Sequence, residues 1–172
     1  MDTKLFRAIQ CLSGRCFLID QLMILLSKKA RLAFFFLLLL KWLLSGPKRK
    51  TVYSALFSAG AAFMLDAAIR CFYFKPRPFM KHKVGILMPV KVNSSFPSKH
   101  TLLAFAVSTA VFLRDQAWGR ILSFIAGITG LSRVWVGHHY PSDIVFSAMI
   151  GTATGFIVHQ SCSYQHNEET DS

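Results

Sequence analysis

The hydrophobic positions along the chain come in long blocks separated by short basic or proline- and glycine-containing joints. A soluble α/β protein would instead alternate brief strands with amphipathic helices. The pattern therefore predicts an all-α integral membrane protein, a bundle of about six transmembrane helices. The six blocks are Cys16 to Ser27, Ala30 to Ser45, Thr51 to Phe74, Thr101 to Leu113, Ile121 to Val136 and Ile144 to His159.

The two ends of the chain differ from these blocks. Residues 3–13 carry apolar and polar side chains at helical spacing, which is typical of an N-terminal helix lying in the membrane interface. We expect no removable signal peptide, because the first block contains Asp20 and leads to Lys28 without a small-residue cleavage site. Residues 1–160 are predicted to form one membrane-embedded domain, and residues 161–172 a polar, disordered tail.

The charge composition points to a negatively charged partner. The chain has 20 Lys and Arg against 8 Asp and Glu, a formal net charge of +12, although 53% of its residues are hydrophobic. Nucleic acid, anionic lipid headgroups and a phosphorylated substrate could each match this charge. Nucleic acid fits least, because the basic residues lie in joints between apolar blocks and crowd into residues 70–99, not on one solvated face. The pattern favours a phosphate site among membrane lipids.

The longest joint, residues 75–98, contains several prolines. Pro76, Pro78, Pro89 and Pro97 cannot continue a helix and indicate an ordered loop. Six spans that alternate sides would place this loop and residues 137–142 on the same surface. Asp66, inside the third block, needs a partner at membrane depth, and Arg70 lies one helical turn later. Three polar clusters fall on the surface shared by the two joints.

The first cluster is Arg70 and Arg77. A separation of seven residues brings both guanidinium groups to one helix face if the helix persists. Guanidinium groups suit phosphate oxygens because they donate paired hydrogen bonds and stay charged. The alternative is that these side chains anchor a helix end at lipid headgroups.

The second cluster is Pro97-Ser98-Lys99-His100, directly before an apolar helix. Ser98 is a natural N-cap, and the N–H groups of a helix N-terminus bind anions. His100, in the first turn, could protonate a departing oxygen.

The third cluster is Ser132-Arg133, followed by His139 and Asp143. The spacing of four would let the carboxylate bind one imidazole nitrogen and leave the other to attack phosphorus. His138 is the rival nucleophile, but its fourth neighbour is Ser142. Alternatively, the His-Asp pair is only a capping interaction at a helix start. Convergence of the three clusters favours the chemical interpretation.

Neither a metal nor another cofactor is expected. Between positions 21 and 167 the only carboxylates are Asp66, Asp115 and Asp143, whereas two-metal phosphatases hold their ions with several. The four cysteines form no C-x-x-C pair, and we interpret them as small apolar side chains.

At these residues the sequence resembles the type 2 phosphatidic acid phosphatase superfamily. Its signatures K-x(6)-R-P, P-S-G-H and S-R-x(5)-H-x(3)-D occur in order over residues 70–143, with Arg70 in place of Lys and Lys99 in place of Gly. The segments F-K-P-R-P-F, S-F-P-S-K-H-T and S-R-V-W-V-G-H-H-Y-P-S-D look like the bacterial bacitracin-resistance type undecaprenyl diphosphate phosphatases.

The resemblance implies an enzyme of the bacterial plasma membrane with an outward-facing site, which converts a lipid diphosphate, undecaprenyl diphosphate, to undecaprenyl phosphate. His139 resembles the nucleophile that forms a phosphohistidine, Asp143 its orienting partner and His100 the general acid. Lys99 would bind phosphate through its backbone N–H, with its ammonium near the second phosphate. The remaining phosphate binders implied are Arg70, Arg77, Ser98 and Arg133.

Two alternatives remain open at this point. The substrate could be another lipid phosphate, such as phosphatidylglycerophosphate or phosphatidic acid, because the signatures bind phosphate and ignore the lipid tail. The chain could also be a non-catalytic membrane resistance or transport component whose basic pocket holds an anion.

Overall fold

A computed structural model describes residues 2–46, 49–81 and 93–170 of the chain. Within these ranges the chain forms α-helices and no β-strand, which agrees with the predicted all-α class. Pro89, part of the predicted loop, lies outside the described residues. The helices are α1 (Asp2–Gln10), α2 (Phe17–Leu44), α3 (Lys50–Phe72), α4 (Pro78–Lys81), α5 (Lys99–Phe112), α6 (Gln116–Trp135) and α7 (Pro141–Thr170).

The two apolar blocks nearest the N-terminus form one helix, α2, not two spans. Its 28 residues correspond to a length of about 42 Å, longer than a bilayer core of about 30 Å. The joint that suggested a break, Ser27-Lys28-Lys29, contains neither proline nor glycine, and lysine is a good helix former. The predicted count of about six spans is therefore not confirmed, because the described residues hold five helices of 14 or more residues.

Helix α5 lies at the centre and packs against α3, α6 and α7. Its inner faces carry small side chains such as Ala106 and Ala110, both fully buried. Gly151 and Gly155 of α7 face this helix, and a Cβ at either position would come within 2.5 Å of an α5 carbonyl oxygen. The small residues allow the two backbones to approach closely, as in membrane helix pairs.

The outer surface of the bundle is apolar. Phe57, Met64, Phe124 and Ile157 are each more than 60% exposed, and an apolar surface of this extent is typical of contact with lipid. Lys50–Phe72 and Pro141–Ser161 are long and apolar enough to cross a membrane. These features support a membrane protein.

Fusion of the first two blocks changes the position of α1. Six alternating spans would put the N-terminus on the surface opposite the predicted site, whereas one long α2 puts α1 on the same surface. Helix α1 buries Phe6 against the bundle, whereas Leu5 of this helix and Leu12 in the turn after it are both 55% exposed. Ile9 also packs against the cluster formed by Phe6, Val134 and Tyr140, so only part of the apolar side of this helix docks on the protein.

Helix α7 continues to Thr170 and so includes most of the segment expected to be a disordered tail. No proline or glycine interrupts residues 160–170, and nothing in the backbone chemistry of this segment forbids a helix.

Candidate active site

The nucleophile candidate lies in the turn between α6 and α7. Gly137 has a φ of 77°, a left-handed conformation that glycine adopts without strain. The N–H groups of His138 and His139 both donate to the carbonyl of Arg133, at 3.1 and 3.3 Å. This turn ends α6 and directs the His139 side chain into the protein, where it is only 2% exposed.

Hydrogen bonding leaves one nitrogen of His139 available. Its Nδ1 lies 2.6 Å from the carbonyl oxygen of Ser95, and because a carbonyl can only accept, Nδ1 must donate. The lone pair of the neutral ring is then on Nε2. Burial, and then the charges of Arg133 and Arg77, hold the pKa of His139 well below its ordinary value of 6.5. At neutral pH the imidazole is therefore uncharged, the form that can attack phosphorus.

His138 has the opposite tautomer. A guanidinium N–H of Arg133 lies 2.8 Å from its Nδ1, and since arginine can only donate, Nδ1 must accept. The proton of neutral His138 is thus on Nε2, and its lone pair is engaged by Arg133. This contrast favours His139 over His138 on chemical grounds, independently of the spacing to Asp143.

Asp143 does not contact His139 as expected. Its carboxylate binds the ammonium of Lys75 at 2.5 Å, the hydroxyl of Ser95 at 2.5 Å and the backbone N–H of Tyr140 at 3.1 Å. The prediction of a direct bond fails because the first turn of α7 directs this side chain back onto its own N-terminus. Ser95 lies between the two residues, donating its hydroxyl to Asp143 and offering its carbonyl to His139.

Arg70 is largely committed to structure. It pairs with Asp66 at 3.0 Å, which confirms the partner expected for that carboxylate. Its other donors bind the backbone carbonyls of Ser94, at 3.0 Å, and Pro97. A lysine ammonium could not reach all three acceptors with the same planar geometry. Arg70 thereby fixes the loop that carries Ser95.

Arg77 lies beyond the end of α3, so the two guanidinium groups do not share one continuous helix face. Its side chain is buried, and its Nε donates to the carbonyl of Asn93 at 3.3 Å. Burial, reinforced by Arg70 and opposed by Asp143, lowers the pKa of Arg77 from 12.5 to about 10. A buried cation of this kind is ready to bind an anion.

Ser98 occupies the N-cap position of α5 but caps no N–H with its side chain. Its hydroxyl pairs with that of Thr101 at 3.0 Å, and its N–H donates to Ser147 at 2.7 Å. The next N–H groups belong to the first turn of α5, which has no intrahelical acceptors for them. His100, in that turn, is half-buried and has Arg133, Arg31 and His138 as electrostatic neighbours.

The Lys99 side chain faces away from this centre. Its ammonium lies 3.8 Å from the centroid of the Phe63 ring on α3. The expected position beside a second phosphate is therefore not the one it occupies.

Arg133 joins the third cluster to α2. It is 6% exposed, and its guanidinium donates to Ser27 at 2.5 Å and to His138. Its Nε has no partner among the described residues. The polar joint of α2 thus supports a site residue, which explains a serine at that position.

Sequence reasoning missed Ser95 and Lys75. Ser95 stands two residues before the second signature and acts partly through its backbone carbonyl, for which the sequence carries no signal. Lys75 pairs with Asp143, and its ammonium is also 4.9 Å from the Tyr140 ring. Its place inside F-K-P-R-P-F, two residues before Arg77, was the available clue.

Helix α1 braces the same turn from outside. Asp2 accepts the backbone N–H of Ser142 at 3.0 Å and its hydroxyl at 2.5 Å. Gln10 donates to the carbonyls of Val134 and Trp135, at 2.8 and 2.9 Å. One short helix therefore binds both the last carbonyls of α6 and the first N–H of α7, on either side of His139.

In the part of the chain that the structure describes, no three His, Cys, Asp or Glu side chains are grouped to hold a metal ion. The available chemistry is that of a neutral imidazole facing buried cations. Such a centre can accept a phosphoryl group and stabilise charge on its oxygens.

The described residues thus form an apolar helical bundle that buries a neutral histidine among arginines. A sequence model described as the PAP2 superfamily matches residues 51–167. The chain belongs to this superfamily, as the three signatures predicted.

Individual relatives span most of the chain. Undecaprenyl-diphosphatase BcrC of Bacillus subtilis is 37% identical over 158 residues, 91% of this chain and 82% of that protein. The bacitracin transport permease protein BcrC of Bacillus licheniformis is 30% identical over 123 residues, 70% of this chain and 61% of that protein. The crystal structure of LpxE from Aquifex aeolicus superposes with a TM-score of 0.80 at 25% identity, covering 92% of this chain and 94% of that one.

Proposed function

We propose that the protein is a membrane phosphatase that hydrolyses undecaprenyl diphosphate to undecaprenyl phosphate through a phosphohistidine at His139. The observation that carries this proposal is the His139 hydrogen bond to the Ser95 carbonyl, which leaves the Nε2 lone pair for attack. The similarity to an undecaprenyl-diphosphatase over 91% of the chain supports the choice of substrate.

In the first step, Nε2 of His139 forms a bond to the terminal phosphorus, and the bond to the bridging oxygen breaks. Arg77, Arg133 and the first-turn N–H groups after Ser98 stabilise the charge on the phosphoryl oxygens. Arg70 contributes by holding the loop carbonyls of Ser94 and Pro97 in place. Lys99 contributes its backbone N–H. His100 gives its proton to the leaving lipid phosphate.

In the second step, water attacks the phosphohistidine, the N–P bond breaks, and inorganic phosphate leaves. His100, now neutral, takes the proton of the water. Arg133 and Arg31 are electrostatic neighbours of His100, and the negative charge of the diphosphate offsets them when His100 carries the first proton. Asp143 acts through Ser95: it accepts the Ser95 hydroxyl and so positions the residue whose carbonyl binds His139.

The same proposal places the protein in the bacterial plasma membrane as a multi-pass protein with the site facing outward. The exposed apolar surface of the helices supports the membrane location. Labelling of Lys4→Cys with an impermeant reagent in intact cells, in a chain whose four native cysteines are replaced by serine, tests the orientation, since α1 lies on the site surface. Labelling only after lysis would contradict it.

The activity is tested by phosphate release from undecaprenyl diphosphate by the purified chain in EDTA. We expect release by the wild type and its loss in His139→Ala and in His100→Ala. A panel with phosphatidylglycerophosphate and phosphatidic acid tests the substrate. Faster release from either would replace undecaprenyl diphosphate as substrate and leave the chemistry intact.

A transport role is the second candidate, since one relative carries the name of a transport permease protein. An anion carrier would bind a lipid diphosphate without releasing phosphate. Binding without release in the assay above would favour this role.

A further inference from the structure

A cavity of about 190 Å³ lies beside the site, between α2, α3 and α5. From α2 it is lined by Arg31, Phe34 and Leu38. These positions are spaced by three and four residues and so share one helix face. The lining is apolar except at one end.

The facing wall has the same order. From α5 the cavity is lined by His100, Leu103 and Val107, again spaced by three and four residues. On each helix one polar residue comes first and hydrophobic residues follow.

The two helices run in the same direction away from the site. In its first half, α2 carries Ser27, which binds Arg133. Near its end, Lys41 pairs with Asp115 at the far side of the bundle. Arg31 and His100 therefore lie together at the site end of the cavity. Seven residues of helix give the groove a length of about 10 Å.

Arg31 is a cation without a counter-ion. Among the described residues it has neither a hydrogen bond nor an ion pair, and its charge acts on both His100 and Arg133. The Arg31 side chain is exposed at the head of the apolar groove, and a cation exposed to lipid is costly unless an anion joins it. Lys99, the residue expected there, is instead over the Phe63 ring.

We infer that Arg31 binds the lipid-side phosphate of a lipid diphosphate and that the groove holds the first part of its hydrocarbon chain. This inference rests on the proposed function. When the terminal P–O bond breaks, the leaving group is a lipid monophosphate whose negative charge increases. Arg31 would lie beside this charge. When the substrate is a lipid monophosphate, the leaving group is the lipid alcohol. This group carries less negative charge, so the cation stabilises its departure less. Arg31 is thus a specificity determinant for diphosphates.

The test compares farnesyl diphosphate with farnesyl monophosphate, two soluble lipids with the same chain. For Arg31→Gln we expect the ratio of kcat/KM for diphosphate over monophosphate to fall about tenfold, the effect of losing one charge-assisted hydrogen bond. Arg31→Lys should retain part of the ratio. Lys28→Gln removes an exposed cation of the same helix that does not line the cavity, and should leave the ratio unchanged. An unchanged ratio in Arg31→Gln would overturn the inference.

The groove is tested separately with Leu103→Trp, which narrows it. We expect kcat/KM for farnesyl diphosphate to fall several-fold relative to dimethylallyl diphosphate, whose chain is too short to fill the groove. An equal fall in kcat/KM for the two diphosphates would show that the groove does not hold the hydrocarbon chain. Failure of the wild type to release phosphate from any diphosphate would overturn the proposed function itself, whereas an active wild type with an unaffected Arg31→Gln ratio would overturn only this inference.

Discussion

Helices α3 to α7 carry all three signatures, whereas α1 and α2 carry none, yet both regions reach the turn that holds His139. The family match begins at residue 51, one residue after the start of α3. The α3–α7 region supplies the reacting groups. The α1–α2 region supplies hydrogen bonds that brace them, through Asp2, Gln10 and Ser27, and a cation at the head of an apolar groove. The comparison teaches that phosphoryl chemistry and its support come from different parts of one short chain.

Loss of the nucleophile is the largest effect expected in the α3–α7 region. His139→Ala should lower kcat by about 10³-fold or more, because no other group offers its lone pair to phosphorus. His138→Ala should lose far less, since the lone pair of His138 is engaged by Arg133. Acid quench with diphosphate labelled at the terminal phosphorus should trap phosphohistidine in wild type and in His138→Ala. Label retained in His139→Ala would show that the assignment of the two histidines is reversed.

Loss of the hydrogen bonds from α1 to the His139 turn should lower kcat about tenfold. The double variant Asp2→Ala/Gln10→Ala removes the hydrogen bonds on both sides of the His139 turn, each worth about 1 kcal/mol. We expect a lower kcat with a KM close to that of the wild type, since the turn is positioned less well but the phosphate binders remain.

Lys4→Ala/Arg7→Ala is the matched control, because both side chains are exposed on the same helix. It should keep the wild-type kcat. Equal kcat values in the two double variants would show that α1 has no part in positioning the turn.

Most of the α3–α7 region could be predicted from the sequence, because proline or glycine marks most of its joints, although not the one between α5 and α6, and charged pairs such as Asp66–Arg70 follow helical spacing. The α1–α2 region could not. Lys28 and Lys29 look like a break in a hydrophobicity pattern, although only proline or glycine breaks a helix strongly. The Ser95 link was also invisible, because its carbonyl is common to every residue. Tertiary contacts such as Asp2–Ser142, 140 residues apart, leave no local pattern.

The pH profile should show a modest effect with a definite sign. The neutral form of His139 attacks, so activity falls as the pH drops through its pKa, which lies well below 6.5. We therefore expect kcat/KM to change by less than about twofold through protonation of His139 as the pH falls to 6.5. Arg77→Gln removes one cation that lowers this pKa, so its acid limb should move to higher pH than that of the wild type. Titration of the substrate is common to both proteins, and identical limbs would exclude this electrostatic role of Arg77.

The smallest effect is expected at Lys99. Its ammonium lies over the Phe63 ring, so Lys99→Gly should change kcat/KM for farnesyl diphosphate and farnesyl monophosphate by less than about twofold, while the loss of a cation–π contact worth about 0.5–1 kcal/mol lowers thermal stability slightly. Phe63→Leu removes the ring and keeps the ammonium, so the two changes combined should destabilise by less than their sum. Lys99→Gly could instead lower the ratio of kcat/KM for diphosphate over monophosphate, as is expected for Arg31→Gln. In that case Lys99, a residue of the α3–α7 region, would also bind the second phosphate.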